Sequence, residues 1–164
     1  MLIDSALELA KVAKPVNNSL FGIELVAASV GGDAPDGAEI GLNTQAMFLL
    51  LPRLVTFRVR HQIEVDEVFT AAKIDVATDF LLPQDYQIEK DAFLEFANSV
   101  AAANLHTYAQ TLLNGLLVEM RLQPRLLPVR DSSDTPLFGG SKLPKVLSAE
   151  IMERLRENPD LALE

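Results

Sequence analysis

The chain has 164 residues, 49% hydrophobic and 23% charged, with a formal net charge of -9 and neither cysteine nor tryptophan. A chain this long buries enough surface to fold as one unit without staples. The missing cysteines exclude disulfides, thiolate metal sites and cysteine nucleophiles, and the acidic balance disfavours nucleic acid as a partner.

Residues 1–14 place Asp4, Glu8, Lys11 and Lys14 among alanines and leucines, which is not a secretory-signal pattern. They form a short helix closed by Pro15, because proline disfavours helical geometry in the residue before it. Ser19 to Val30 is expected as a first strand, with Phe21, Ile23 and Leu25 on one face and Leu20, Glu24 and Val26 on the other. The stretch Gly31-Gly32-Asp33-Ala34-Pro35-Asp36-Gly37 is a loop. Ile40 to Leu51 holds a second strand; its apolar run Ala46 to Leu51 is too short to cross a membrane and is expected as a buried packing segment. A cytoplasmic location follows as the expectation.

The third segment has the clearest period. Val55, Phe57, Val59, His61, Ile63 and Val65 alternate with Thr56, Arg58, Arg60, Gln62, Glu64 and Asp66, which assigns one set to each face of a strand. A fourth strand covers Phe69 to Leu82, with Ala72, Ile74, Val76 and Phe80 inward and Asp75, Ala77, Asp79 and Leu81 outward. From Lys90 the period becomes helical: Phe93, Phe96, Ala97, Val100, Ala101, Asn104, Tyr108, Leu112, Leu116 and Met120 make one stripe. A break is allowed around Asn104 to Thr107, and Gly115 implies close packing or a bend. Pro124 and Pro128 bracket an extended Arg125-Leu126-Leu127, and residues 131–141 form a linker. A last amphipathic helix starts at Ser148, presents Ile151, Met152 and Leu155, and ends at Asn158-Pro159. The expected fold is α+β: a four-stranded antiparallel sheet with a long C-terminal helix packed on one face. Residues 1–130 are the main domain, and 131–164 a linker with a short helix.

Catalytic patterns are hard to place. Gly139-Gly140-Ser141-Lys142 has phosphate-loop residue types in the wrong order. His61 and His106 are the acid–base candidates, yet neither has a carboxylate at a diagnostic spacing. Asp75 and Asp79 share a strand face, as solvated carboxylates commonly do, and Asp131-Ser132-Ser133-Asp134 lacks the rest of a calcium loop. No enzyme activity, cofactor or metal is expected. What is in excess is apolar surface. A groove lined by it would bind extended chains by burial, at about 25 cal/mol per Å² of apolar area, with little regard to their sequence.

Asn104-Leu105-His106-Thr107-Tyr108, followed by Arg121-Leu122-Gln123-Pro124-Arg125-Leu126-Leu127-Pro128, resembles the SecB family of protein-export chaperones and their SecB-like relatives. The likeness spans roughly residues 19–130 in element order. Tyr108, Leu105, Leu122 and Pro124 match the family pattern. His106 and Thr107 replace its aromatic and proline, and Gln110 and Thr111 stand where Arg and Glu would be. These departures fit a divergent SecB-like protein. The resemblance implies a homo-oligomer, dimer or tetramer, that holds unfolded polypeptide without ATP. It also implies hand-over to a translocase motor through an acidic sheet surface, or the guarding of an antitoxin.

On that basis Phe57, Val59, Phe93, Phe96, Tyr108, Leu112, Leu126 and Leu127 are expected as client-binding groove wall or nearby core. Glu24, Glu64, Asp66, Asp75 and Asp79 are expected as an acidic partner face. Two other readings are an adaptor that uses the same scaffold for one fixed protein partner, and a small-ligand enzyme on a hot-dog-like fold. The enzyme reading is disfavoured because the long helix follows the fourth strand and no acid–base pair stands out.

Overall fold

The computed structural model describes residues 1–26, 40–65, 71–121, 126–127 and 136–157, with backbone alone at 25–26, 40–42, 63–65 and 71. A two-residue strand β1 (Leu2–Ile3) leads into α1 (Ala6–Val12), where the Ser5 hydroxyl accepts a hydrogen bond from Glu8 N at 3.3 Å and caps the first turn. Four long strands follow: β2 (Lys14–Val26), β3 (Ile40–Leu51), β4 (Leu54–Val65) and β5 (Ala71–Leu81). They form one antiparallel sheet in the order β2-β5-β4-β3, so the first of the four strands returns to pair with the last. The four-stranded α+β architecture is as expected.

Strand β4 shows why the sheet has two characters. Val55, Phe57, Val59 and His61 are buried on the inner face, while Arg58, Arg60 and Gln62 point outward. On β5, Ile74, Val76, Thr78 and Phe80 complete the inner layer. Each fully buried Phe or Val there contributes about 1.5–3 kcal/mol over an exposed one.

Two strand expectations need correction. In β2 the register slips between Leu20 and Gly22, so Leu20 lies opposite Val76, Ile23 opposite Ile74, and Phe21 has no partner. This β-bulge separates Phe21 from Ile23, which a strict period of two had put on one face. Pro15 is tolerated because β2 is an edge strand. In β3 only half of the Ala46–Leu51 run is inside. Met47 and Leu49 are exposed, because alternation along a single strand sends them to the outer face.

After β5 comes β6 (Gln87–Glu89), which pairs in parallel with β1 and antiparallel with β7 (Val146–Leu147) in a small second sheet. The long helix is α2 (Lys90–Phe96), a π-helical turn over Ala97–Ala101, and α3 (Ala102–Glu119). The irregularity sits at that turn, while the helix runs unbroken through Asn104 to Thr107. The π turn takes up one extra residue. Ala101 is buried as expected, and beyond it the stripe continues as Leu105, Ala109, Leu113 and Leu117, one position later than the expected Asn104, Tyr108, Leu112 and Leu116. Gly115 does not pack closely: a Cβ there would meet nothing within 4 Å.

Residues 136–157 return to the body of the protein. Phe138, Leu143, Leu147 and Met152 are buried, and α4 (Ala149–Glu157) packs against β3. Ser148 caps α4 through a 3.3 Å bond from Ile151 N, as its sequence implied. The proposed stop at Asn158-Pro159, the loop at 31–37, and residues 27–30 and 69–70 lie outside the described residues. Among the described residues no helix is long and apolar enough to cross a membrane.

Candidate functional site

Two surfaces concentrate the unusual side chains. The first is the outer face of the sheet. Asp75 of β5 is nearly buried there between two arginines from β4. Arg58 donates to both of its oxygens, Nε to Oδ1 at 2.7 Å and Nη2 to Oδ2 at 2.8 Å; Arg60 donates Nε and Nη2 to Oδ2 at 3.0 and 2.8 Å. The Arg58 guanidinium holds the Asp75 carboxyl below its usual range, against the opposing effect of burial, and Arg60 reinforces it. Arg58 also lies 4.1 Å from the centre of the Phe21 ring, an arrangement the bulge makes possible. Phe21, Glu24, Arg58, Arg60, Lys73 and Asp75 line a shallow depression of about 300 Å³.

Of the five acidic residues expected as one partner face, Glu24, Asp75 and Asp79 do lie on the outer face of the sheet, but each stands against a cation or a hydroxyl. Glu24 is exposed but lies opposite Lys73. Asp75 is enclosed by arginines, and Asp79 accepts a 2.7 Å bond from the Thr56 hydroxyl. The side chains of Glu64 and Asp66 lie outside the described residues. Cross-strand register decides this: Arg60 is the direct β4 partner of Asp75, so the carboxylate meets cations instead of solvent.

The second surface is the underside, where helices and the 136–157 segment meet the sheet. Phe57 is the hub. Its ring centroid lies 5.7 Å from Phe93, 5.8 Å from Phe80, 6.0 Å from Phe96 and 5.3 Å from Phe138. Of the expected client-binding residues, Phe57, Val59, Phe93 and Phe96 are thus packed in the core and present no open wall. Leu127 is buried too, its N–H donating to the Gln110 side chain. Tyr108 and Leu112 are half-buried, and Leu126 is 80% exposed. Asn98, in the π turn, bonds both main-chain groups of Phe138. Sequence reasoning missed Asn98 and Phe138: an asparagine inside a helical pattern and a phenylalanine in a glycine-rich loop carry no periodic signal.

His61 and His106 come close beneath the sheet. His61 Nδ1 pairs with the Thr44 hydroxyl at 3.0 Å, and its Nε2 has no partner among the described residues. Burial, then the neighbouring His106, pushes the His61 pKa down to about 4, and burial also lowers that of His106. No carboxylate orients either ring in a described hydrogen bond. Among the described residues, no three His, Asp or Glu side chains converge where a metal could sit.

No family model and no curated protein matches the sequence. In three dimensions the chain is similar to the Mycobacterium tuberculosis SecB-like chaperone Rv1957, solved in complex with a ChAD peptide from the Rv1956 HigA1 antitoxin. The TM-score is 0.58 at 15% identity, over 77% of this chain and 93% of that one. The fold is SecB-like. Of the four matching residues that carried the resemblance in sequence, Leu105 is in the core and Tyr108 at its margin, while Leu122 and Pro124 lie outside the described residues.

Proposed function

We propose that this chain is a non-enzymatic, ATP-independent holdase that acts in the cytoplasm and keeps non-native polypeptide from aggregating. One observation carries the reading: large apolar side chains stay open on a SecB-like fold. Val16, Leu20, Phe21, Met47, Leu49 and Leu126 are each between 44% and 80% exposed. Five of the six lie on the two edge strands, β2 and β3, and burial against apolar side chains tolerates many client sequences. Tyr108, Leu112 and Leu126 are the expected client residues that remain accessible.

The antitoxin peptide bound by the structural neighbour supports a client taken up as a peptide segment. It also favours a second reading, an adaptor dedicated to one partner such as an antitoxin. Hand-over to a translocase motor through an acidic face has less support, since Arg58, Arg60 and Lys73 occupy the middle of the outer sheet face.

Assembly is expected through the outer face of α3. From Asn98 to Val118 the chain has no Asp, Glu, Lys or Arg. The hydroxyls of Ser99, Thr107 and Thr111 turn back onto the carbonyls of Glu95, Ala103 and Thr107. That leaves an uncharged, low-relief face suited to packing against the same face of another copy.

The test is aggregation of several chemically unfolded proteins with stoichiometric amounts of the chain and no nucleotide. General suppression is expected. Failure with every client, together with one tight complex with an antitoxin, would replace the holdase by the adaptor.

A further inference from the structure

The middle of the outer sheet face runs against the charge of the chain as a whole, which is -9. Cross-strand register sets Lys73 between Glu24 and Gln62, and Arg60 between Asp75 and Gln45. Asp75 does not use up the two arginines beside it. It takes Nε and Nη2 from each. Nη1 of both, like the Lys73 ammonium, makes no hydrogen bond or ion pair among the described residues. Guanidinium groups already fixed by a buried carboxylate lose little freedom when they take up a second anion.

Gly22 makes the room. It is the β2 partner of Asp75, so a side chain there would stand on the outer face beside the arginines. A Cβ at Gly22 would meet nothing within 4 Å, and that gap belongs to the depression of about 300 Å³. A second hollow of about 100 Å³, lined by Asn43, Gln45, Arg60, Gln62 and Lys73, shares Arg60 and Lys73 with the first. Free N–H donors in one hollow suit carboxylates, and the three side-chain amides of the other can both donate to and accept from a main chain. A nucleic acid would offer the same charge to the cations but would bring its whole backbone against an acidic protein.

We propose that the hollow over Gly22, with Arg58, Arg60 and Lys73, docks an acidic segment of a partner protein and seats one of its carboxylates. Glu24, on the rim, opposes that charge and weakens the complex. The site does not rest on the holdase reading.

The probe is a short labelled peptide alternating glutamate and serine, titrated into the full chain at low salt and followed by fluorescence anisotropy. It carries no large apolar side chain, so open apolar surface has little to bind. Saturable binding that weakens as salt is raised is expected, with no binding of the matching glutamine–serine peptide. Gly22→Val fills the hollow with a residue that strands favour and should weaken binding about tenfold or more, since a clash at the seat excludes the ligand. Lys73→Gln should weaken it about threefold, the loss of one exposed ion pair. Glu24→Gln should strengthen it. Circular dichroism checks that each variant is folded.

Equal binding of the two peptides overturns the proposal, as does unchanged binding by a folded Gly22→Val chain together with Lys73→Gln. A single-stranded oligonucleotide bound more tightly than the glutamate peptide overturns the choice of partner. If the peptide binds as expected while no unfolded protein is ever held, the docking site stands and the holdase reading falls.

Discussion

His61 is the residue whose chemistry is most constrained by its surroundings. Its ring is buried, Nε2 has no partner among the described residues, and His106 lies near it. Its folded-state pKa, about 4, lies below the ordinary 6.5, so the unfolded chain binds the proton more readily. The stability this neutral ring supports is complete above about pH 6.5 and declines towards pH 4, by up to about 3 kcal/mol, and the downward shift of His106 acts with the same sign. His61→Met is expected to flatten this acid limb. Thermal melts of both chains between pH 7 and pH 4 check it, and an unchanged slope in the variant would assign the effect to another group. Asp75 shows the same dependence on neighbours: its residue type promised a free acid, and its cross-strand partners made it an arginine acceptor.

Among the elements, the long helix departs most from its sequence pattern. One extra residue in the π turn rotates everything after it, so Val100 and Met120 come to the surface while Leu105 and Leu117 go inside. The helix ends at Glu119, and two residues on Arg121 has φ 59° and donates its N–H to Val118 O at 3.0 Å. A left-handed residue closing a helix is usually glycine, since a side chain there costs about 1–2 kcal/mol. Arg121→Gly should gain about 1 kcal/mol after allowing for the greater freedom of glycine in the unfolded chain. That corresponds to a melting temperature about 2–4 °C higher. A lower melting temperature would mean that the arginine side chain contributes more than its backbone costs.

At the scale of the whole molecule, the uncharged outer face of α3 is the surface that a single copy leaves unexplained. If copies pack through it, Thr107→Glu places buried like charges against each other at the contact. The expected result is a drop in solution mass by light scattering to that of one chain, with subunit stability changed by less than about 0.5 kcal/mol because Thr107 is exposed within the subunit. A wild-type chain that already runs as a monomer would remove the assembly from the proposal without touching the fold.

Periodicity in the chain determined strand β4 and the sign of its two faces: Val55, Phe57 and Val59 inward and Arg58 and Arg60 outward follow from alternation alone, because the pleat leaves no other choice. It determined the helical run after Lys90, the cap at Ser148 and the closure of α1 before Pro15 for similarly local reasons. Three matters were decided only in tertiary structure. The bulge at Phe21 and the π turn at Ala97–Ala101 each insert one residue into a regular pattern, and such a slip becomes fixed only when partners on other elements select the register. The pairing of Asp75 with Arg58 and Arg60 depends on which strand lies beside which. The seating of Phe138 on Asn98 joins residues forty positions apart; contacts at that range leave no trace in local spacing, since their energy comes from side chains that meet only once the sheet and helix have closed on each other.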